Sequence, residues 1–298
     1  RTAWSHDRLL ERVAERTGNP DEAARLREAT IARGRHPLQR GRLVEGVYVL
    51  GLLGGLVILV TRLPRLRQST AVADGMVVAP WSAGYGSGVI ARCVAAVALT
   101  SVIAWWGPWQ YWATLVCSLP MLLIMQHYLF RPEGITLWKG FGMWPGTVSW
   151  RGMVLFALAL TAVDQLGCLA IHHGAELAGL PTKWEEGLDE TLLFGPLPAA
   201  LLTAIDGVIW APLFEEIAFR GLLYVTLRTR LTPVPAAAIS AGLFGAVHLY
   251  SLVGFLEVAW TGFILAVGYE KCRSLWPCIY AHFFNNLFYF SILLLVYR

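Results

Sequence analysis

Long apolar runs fill most of the sequence after Val44, and each is about as long as a bilayer-spanning helix, which needs about 20 mainly apolar residues. The chain is 56% hydrophobic and 15% charged, with a mean hydropathy of +0.54. A soluble protein carries about a quarter charged residues. Because the runs are continuous rather than alternating, they favour spanning α-helices over a β-barrel.

These runs predict an all-α, polytopic transmembrane bundle of about eight spans. The spans are expected at residues 44–61, 87–106, 109–130, 152–171, 194–227, 234–250, 252–271 and 276–297. The fifth run is too long for one straight crossing at about 1.5 Å per residue. Pro196, Pro198 and Pro212 predict a kink or a break there, so we expect two segments or one tilted helix.

Residues 1–43 differ from the rest of the 298-residue chain because they are polar and rich in arginine. They are predicted to form a helical extension of two short helices, the second with Asn19 as its N-cap and Gly34 just beyond its end. N-terminal transmembrane helices are expected over 44–171 and a second membrane region over 181–298. No charged segment with a short apolar core and a cleavage site is visible, so no signal peptide is expected.

The formal charge is +4 and comes mostly from arginine. We expect these arginines to orient the spans and meet lipid headgroups rather than to bind nucleic acid. The positive-inside tendency leaves the arginine-rich N-terminal arm on the outer side, so the topology of that arm stays open. The five cysteines occur singly, which favours buried apolar roles over metal binding.

Three groups of polar residues interrupt the apolar runs of the C-terminal region. They are Glu215, Glu216 and Arg220; Phe244 and His248; and His282 and Asn286. Acids, imidazoles and carboxamides at membrane depth cost about several kcal/mol each unless they are paired or functional. The least costly arrangement buries them against one another, so we expect the three groups to converge as an active site.

Helical spacing divides these residues by role. Glu216 and Arg220 are four apart with the acid first, which predicts an ion pair. Glu215 points about 100° away around the helix and is left without a local cation, so its carboxylate is suited to take a proton from water. His282 and Asn286 share one face and could donate hydrogen bonds to a developing oxyanion.

Other polar residues in apolar runs have weaker interpretations. Asn285 is a second candidate for the oxyanion role, one position around the helix from Asn286. Asp206 and Glu257 could line a water route, but interhelical hydrogen bonding is the simpler account, as it is for Asp164 and Gln165.

The motifs Glu-Glu-x-x-x-Arg, Phe-x-x-x-His and His-x-x-x-Asn, in this order on apolar segments, resemble those of the CPBP intramembrane proteases. This family of CAAX proteases and bacteriocin-processing (Abi) proteins includes the eukaryotic CAAX prenyl endopeptidase. The resemblance runs from about Pro181 to Tyr289. It implies a membrane endopeptidase that acts on a membrane-associated protein or peptide. The alternative is a non-catalytic adaptor or bacteriocin self-immunity protein that keeps the fold.

By that resemblance, Glu215 and His248 would activate the hydrolytic water, and His282 with Asn286 would stabilise the oxyanion. The ion pair between Glu216 and Arg220 would organise the site. The family is classed with metallopeptidases, and Glu215, His248 and His282 could hold Zn²⁺ with one position left for water. H-E-x-x-H is absent, and a metal-free glutamate mechanism is equally allowed. A bacterial cytoplasmic membrane is the expected setting; substrate and oligomeric state stay open.

Overall fold

The backbone is helical throughout most of its length. A computed structural model describes residues 4–68, 78–105, 111–143, 149–183, 186–187 and 190–297, and this part of the chain contains no strand. The helices are α1 Trp4–Arg16, α2 Pro20–Gln68, α3 Ala83–Trp105, α4 Ala113–Phe130, α5 Leu137–Gly140, α6 Trp150–Leu177, α7 Glu190–Phe194, α8 Leu197–Leu227, α9 Pro233–Val247, α10 Leu252–Cys272 and α11 Leu275–Leu295. The predicted all-α class is confirmed.

Seven of these described helices are long and apolar enough to cross a bilayer, namely α2 (over Leu38–Thr61), α3, α4, α6, α8, α10 and α11. The apolar helix α9 is shorter, and with it the set matches the predicted count of about eight. Leu43, Val47 and Leu50 on α2 are each at least 70% exposed. Large apolar side chains so exposed within a spanning helix are suited to contact lipid. The chain is an integral multi-pass membrane protein.

The N-terminal extension is a hairpin of α1 and α2, but α2 is much longer than predicted. Asn19 caps it as expected, since its side-chain oxygen accepts from the Glu22 amide at 3.3 Å. The predicted end at Gly34 is wrong, because the helix continues to Gln68. A mid-helix glycine costs only about 1 kcal/mol, and good helix formers such as Leu38 follow it. The boundary at 43/44 therefore falls inside one helix.

The fifth span, α8, is one continuous helix rather than two segments. Asp206–Trp210 and Ile217–Tyr224 are π-helical turns within it. Pro212 lacks an amide hydrogen and its ring would clash with the carbonyl four residues earlier, so the wider turn ahead of it accommodates the proline without a break. The second wide turn carries Arg220.

Helices α9 and α10 approach closely because glycines lie where they cross. A methyl group added at Gly245 would lie 2.9 Å from the Phe255 carbonyl oxygen, and one added at Gly262 would lie 3.1 Å from Ala241 Cα. Small residues let membrane helices approach at backbone distance. This contact places Phe244 and the Gly262 carbonyl beside α8.

Candidate active site

The predicted ion pair lies at the centre of the polar cluster. Arg220 Nη1 donates to Glu216 Oε1 at 2.9 Å, and both side chains are fully buried. Arg220 Nη2 donates to the Gly262 carbonyl at 2.9 Å, and the guanidinium lies 4.6 Å from the centre of the Phe244 ring. Because the cation has an acid, a carbonyl and an aromatic face around it, burial leaves its charge compensated.

His282 on α11 lies between the two glutamates of α8. Its Nδ1 is 3.0 Å from Glu216 Oε1, and its Nε2 is 3.8 Å from Glu215 Oε2. An ionised carboxylate only accepts hydrogen bonds, so Nδ1 is the donor to Glu216. This bond fixes the orientation of the ring and leaves Nε2 facing Glu215.

Glu215 is the more accessible of the two acids. Its side chain is 31% exposed, whereas Glu216 has no exposed surface. Its Oε2 is buried without a hydrogen-bond partner in the described part of the protein. A carboxylate oxygen that faces an imidazole and has no other partner is free to accept a proton or a hydrogen bond from water.

His248 ends α9 and joins the cluster through Phe244. Its Nδ1 donates to the Phe244 carbonyl at 2.7 Å, so Nε2 is the nitrogen left for other contacts. The Phe244 ring centre is 4.9 Å from that of His248 and 5.9 Å from that of His282, both edge to face. Phe244 therefore packs against both imidazoles and against the Arg220 guanidinium.

Tyr250, which the sequence did not single out, lies beside His248. Their ring centres are 5.5 Å apart. Burial, together with the negative charges of Glu215 and Glu186, raises the pKa of the Tyr250 hydroxyl. With its pKa raised, the hydroxyl stays protonated at neutral pH near the catalytic candidates. In the sequence, only its position two residues after His248 pointed to Tyr250.

Asn286 follows His282 by one turn and contacts α8. Its Nδ2 donates to the Gly207 carbonyl at 2.8 Å, in the first wide turn. An amide nitrogen carries two hydrogens, so one remains available. Asn285 lies elsewhere, since its Nδ2 donates to Asp164 on α6.

Two partly buried acids outside this cluster join helices, as the simpler interpretation predicted. Glu257 Oε1 lies 3.2 Å from His172 Nδ1 on α6. Asp206 Oδ2 accepts from the Thr114 hydroxyl on α4 at 2.6 Å. These contacts cross between helices, so they stabilise the bundle.

The proposed zinc ligands do not form a ready metal site. Nowhere in the described residues do three His, Cys, Asp or Glu side chains gather closely enough to hold an ion. Free donors remain, since His282 Nδ1 bonds to Glu216 and His248 Nδ1 to a carbonyl and each ring keeps its Nε2, so only the lack of convergence argues against a metal site. Since a catalytic zinc needs about three protein ligands, the donor set does not fit and no step is derived through a metal.

The fold and this cluster define the protein as a polytopic helical membrane protein in which acids and imidazoles of different helices meet. Residues 197–288 match the family model described as type II CAAX prenyl endopeptidase Rce1-like. Over 92 residues, 31% of this chain, the sequence is 33% identical to the Bacillus subtilis (strain 168) protein named "Putative membrane peptidase YdiL". No solved structure matches.

These matches confirm the predicted relationship to the CPBP group, and the family model covers the region that contains all three motifs. The aligned stretch spans 37% of the length of the Bacillus protein. The family match lies in the membrane region that carries the polar cluster. The helices before α8 lie outside the family match.

Proposed function

We propose that the protein is an intramembrane endopeptidase that hydrolyses a peptide bond of a membrane-associated protein or peptide. The observation that carries this proposal is the approach of Glu215 to His282, at 3.8 Å, inside an apolar bundle. A carboxylate oxygen without a hydrogen-bond partner and an oriented imidazole at this separation are close enough to bond to one and the same water or carbonyl oxygen placed to their side. The family match of residues 197–288 supports a peptidase.

Glu215 acts as the general base in this mechanism. Its carboxylate takes a proton from water, aided by Nε2 of His248, and the resulting hydroxide attacks the scissile carbonyl carbon. A tetrahedral intermediate forms with its negative charge on the carbonyl oxygen. The C–N bond then breaks as Glu215 returns the proton to the leaving amine, so the carboxylate is regenerated.

His282 and Asn286 stabilise the oxyanion. His282 donates from Nε2 when the ring carries both protons, while its Nδ1 hydrogen is donated to Glu216. Asn286 supplies the amide hydrogen that the Gly207 carbonyl does not use. Donors fixed in advance by other hydrogen bonds stabilise the transition state without reorganisation. Glu216 and Arg220 are positioning residues in this scheme.

Mass spectrometry of protein termini tests the proposal directly. Membranes that contain the wild-type protein are compared with membranes that contain Glu215→Gln, and we expect new termini only with the wild type. Glu257→Gln is the matched control, because Glu257 is also a partly buried acid of a spanning helix but contacts His172 instead. Identical termini with wild type and Glu215→Gln would refute peptidase activity at this site. Bacteriocin protection that persists with Glu215→Gln would favour the immunity alternative.

The setting and substrate follow as part of the proposal. The Bacillus relative supports a bacterial cytoplasmic membrane. The description of the matching family model names a CAAX prenyl endopeptidase. The termini found in the experiment would show whether the substrate of this protein carries a prenylated cysteine. We expect cleavage sites near or within a membrane segment, because the site lies among spanning helices.

A further inference from the structure

A second buried acid lies in α6, before the region that matches the family. Asp164 is 1% exposed and lies within the span Trp150–Leu177. Among the described residues no basic side chain forms an ion pair with it. The proposed reaction does not use this group, so its burial needs another explanation.

Hydrogen bonds from two other helices surround the Asp164 carboxyl group. The Thr261 hydroxyl of α10 donates to Oδ1 at 2.8 Å, and Asn285 of α11 donates its amide to Oδ2. Gln165 donates to the Asn285 oxygen at 3.1 Å. Trp260 on α10 donates to the backbone carbonyl of Asp164 at 3.1 Å. One residue of α6 is thus bonded to both α10 and α11.

Both helices bonded to Asp164 also carry parts of the proposed active site. Thr261 precedes Gly262, whose carbonyl accepts from Arg220. Asn285 precedes Asn286 and follows His282 by three residues. Neighbouring side chains on a helix diverge by about 100°, so a bond at Asn285 sets the rotation of α11 and with it the direction in which Asn286 points.

We propose that Asp164 is a positioning residue, which holds α10 and α11 so that His282 meets the glutamates of α8 and Asn286 meets the Gly207 carbonyl. The inference rests on the proposed peptidase function for its kinetic readout. In a bilayer interior few waters compete for such hydrogen bonds, so the pairing of donors with acceptors decides the geometry. Misplacement of a catalytic group by about 1 Å can lower the rate by about 100-fold.

A swap of the two side chains gives a sharp test. Asn285→Asp sets two carboxyl groups against each other in place of a donor and an acceptor. Asp164→Asn combined with Asn285→Asp restores one donor facing one acceptor. In that double variant Thr261 still donates to position 164 and Gln165 still donates to position 285. The swap therefore restores the donor–acceptor pair between positions 164 and 285 that Asn285→Asp removes, and the one contact it does not restore is the long 3.4 Å bond from Gln165 to Asp164 Oδ2.

We expect kcat to fall by about 10- to 100-fold in Asn285→Asp with little change in KM, and to recover to within about threefold in the double variant. The substrate is a peptide identified from the terminal analysis. A second readout does not require cleavage: the ¹⁵N resonances of His282, assigned with a His282→Gln sample, should shift in Asn285→Asp and return in the double variant.

The two readouts separate this inference from the proposed function. If the wild type cleaves nothing, the peptidase proposal fails, while the His282 resonances still decide the role of Asp164. Unchanged kcat and unchanged resonances in Asn285→Asp would overturn the inference, as would a folded double variant that restores neither. If Asn285→Asp does not fold, Asn285→Ala replaces it. A folded Asn285→Ala protein with wild-type kcat and His282 resonances would also overturn the inference.

Discussion

The Nδ1 atom of His282 and the Oε1 atom of Glu216 lie 3.0 Å apart, and that same oxygen accepts a hydrogen bond from Arg220 at 2.9 Å. One carboxylate oxygen therefore compensates a buried cation and orients a catalytic candidate. These two roles make different demands on the residue. Apolar side chains could replace both Glu216 and Arg220 without loss of stability, because no buried charge would then remain. Orientation of the imidazole, in contrast, requires a hydrogen-bond acceptor at position 216.

Substitutions at the ion pair should separate stability from activity. Arg220→Met leaves Glu216 buried without its cation, and we expect stability to fall by about 3–5 kcal/mol. Glu216→Leu combined with Arg220→Met removes both charges, so most of that loss should be recovered. The double variant should still be inactive, because His282 has lost its acceptor. Melting temperatures in detergent and peptide cleavage measure the two effects; equal destabilisation of the single and double variants would contradict this account.

Two glycines of α9 provide a matched pair for the close helix contact. A methyl group at Gly245 would lie 2.9 Å from the backbone carbonyl of Phe255, whereas one at Gly242 would meet nothing within 4 Å. Gly245→Ala should push α10 away and shift Phe244 and His248, with a loss of cleavage of about tenfold or more. Gly242→Ala should retain activity and gain up to about 1 kcal/mol in stability from helix propensity. Cleavage kinetics and melting curves of both variants test this prediction. Equal effects of the two substitutions would contradict the role of the close contact at Gly245.

Spacing along the chain predicted the features that lie within one helix. The Glu216–Arg220 pair follows from a separation of four residues, and the all-α class follows from the lengths of the apolar runs. The end of α2 was not predictable from Gly34, because glycine ends a helix when it adopts positive φ. Gly34 has no positive φ, unlike Gly18 at 74°.

Contacts between helices could not be predicted from the sequence, because periodicity gives the direction of a side chain but not its distance from another helix. The convergence of the polar groups was expected from the free-energy cost of burying them in a membrane, yet nothing predicted that His282 would bond to Glu216. The same limit explains why Asn285 was considered for the oxyanion role. Its partner, Asp164, is 121 residues away in the chain. Tyr250 was missed because aromatic residues are common in this sequence.

Metal removal tests whether cleavage needs a metal ion, which the resemblance to metallopeptidases left open. We expect cleavage to be unchanged after dialysis against a chelator, because no three suitable ligands converge in the described part of the chain. Elemental analysis of the dialysed protein confirms that metal is absent. Activity that is lost on dialysis and restored by Zn²⁺ would contradict this expectation, and Glu215→Gln treated in the same way controls for other peptidases in the preparation.

Replacement of Asn286 tests the oxyanion donor. The side chain is held by the Gly207 carbonyl at 2.8 Å, so its free amide hydrogen has a fixed direction before substrate binds. Loss of one such donor typically lowers kcat by about 10²–10³-fold, because the interaction strengthens only as charge develops on the oxygen. We therefore expect Asn286→Leu to lower kcat by that factor with KM nearly unchanged. A rise in KM at constant kcat would instead show that Asn286 binds substrate and transition state equally.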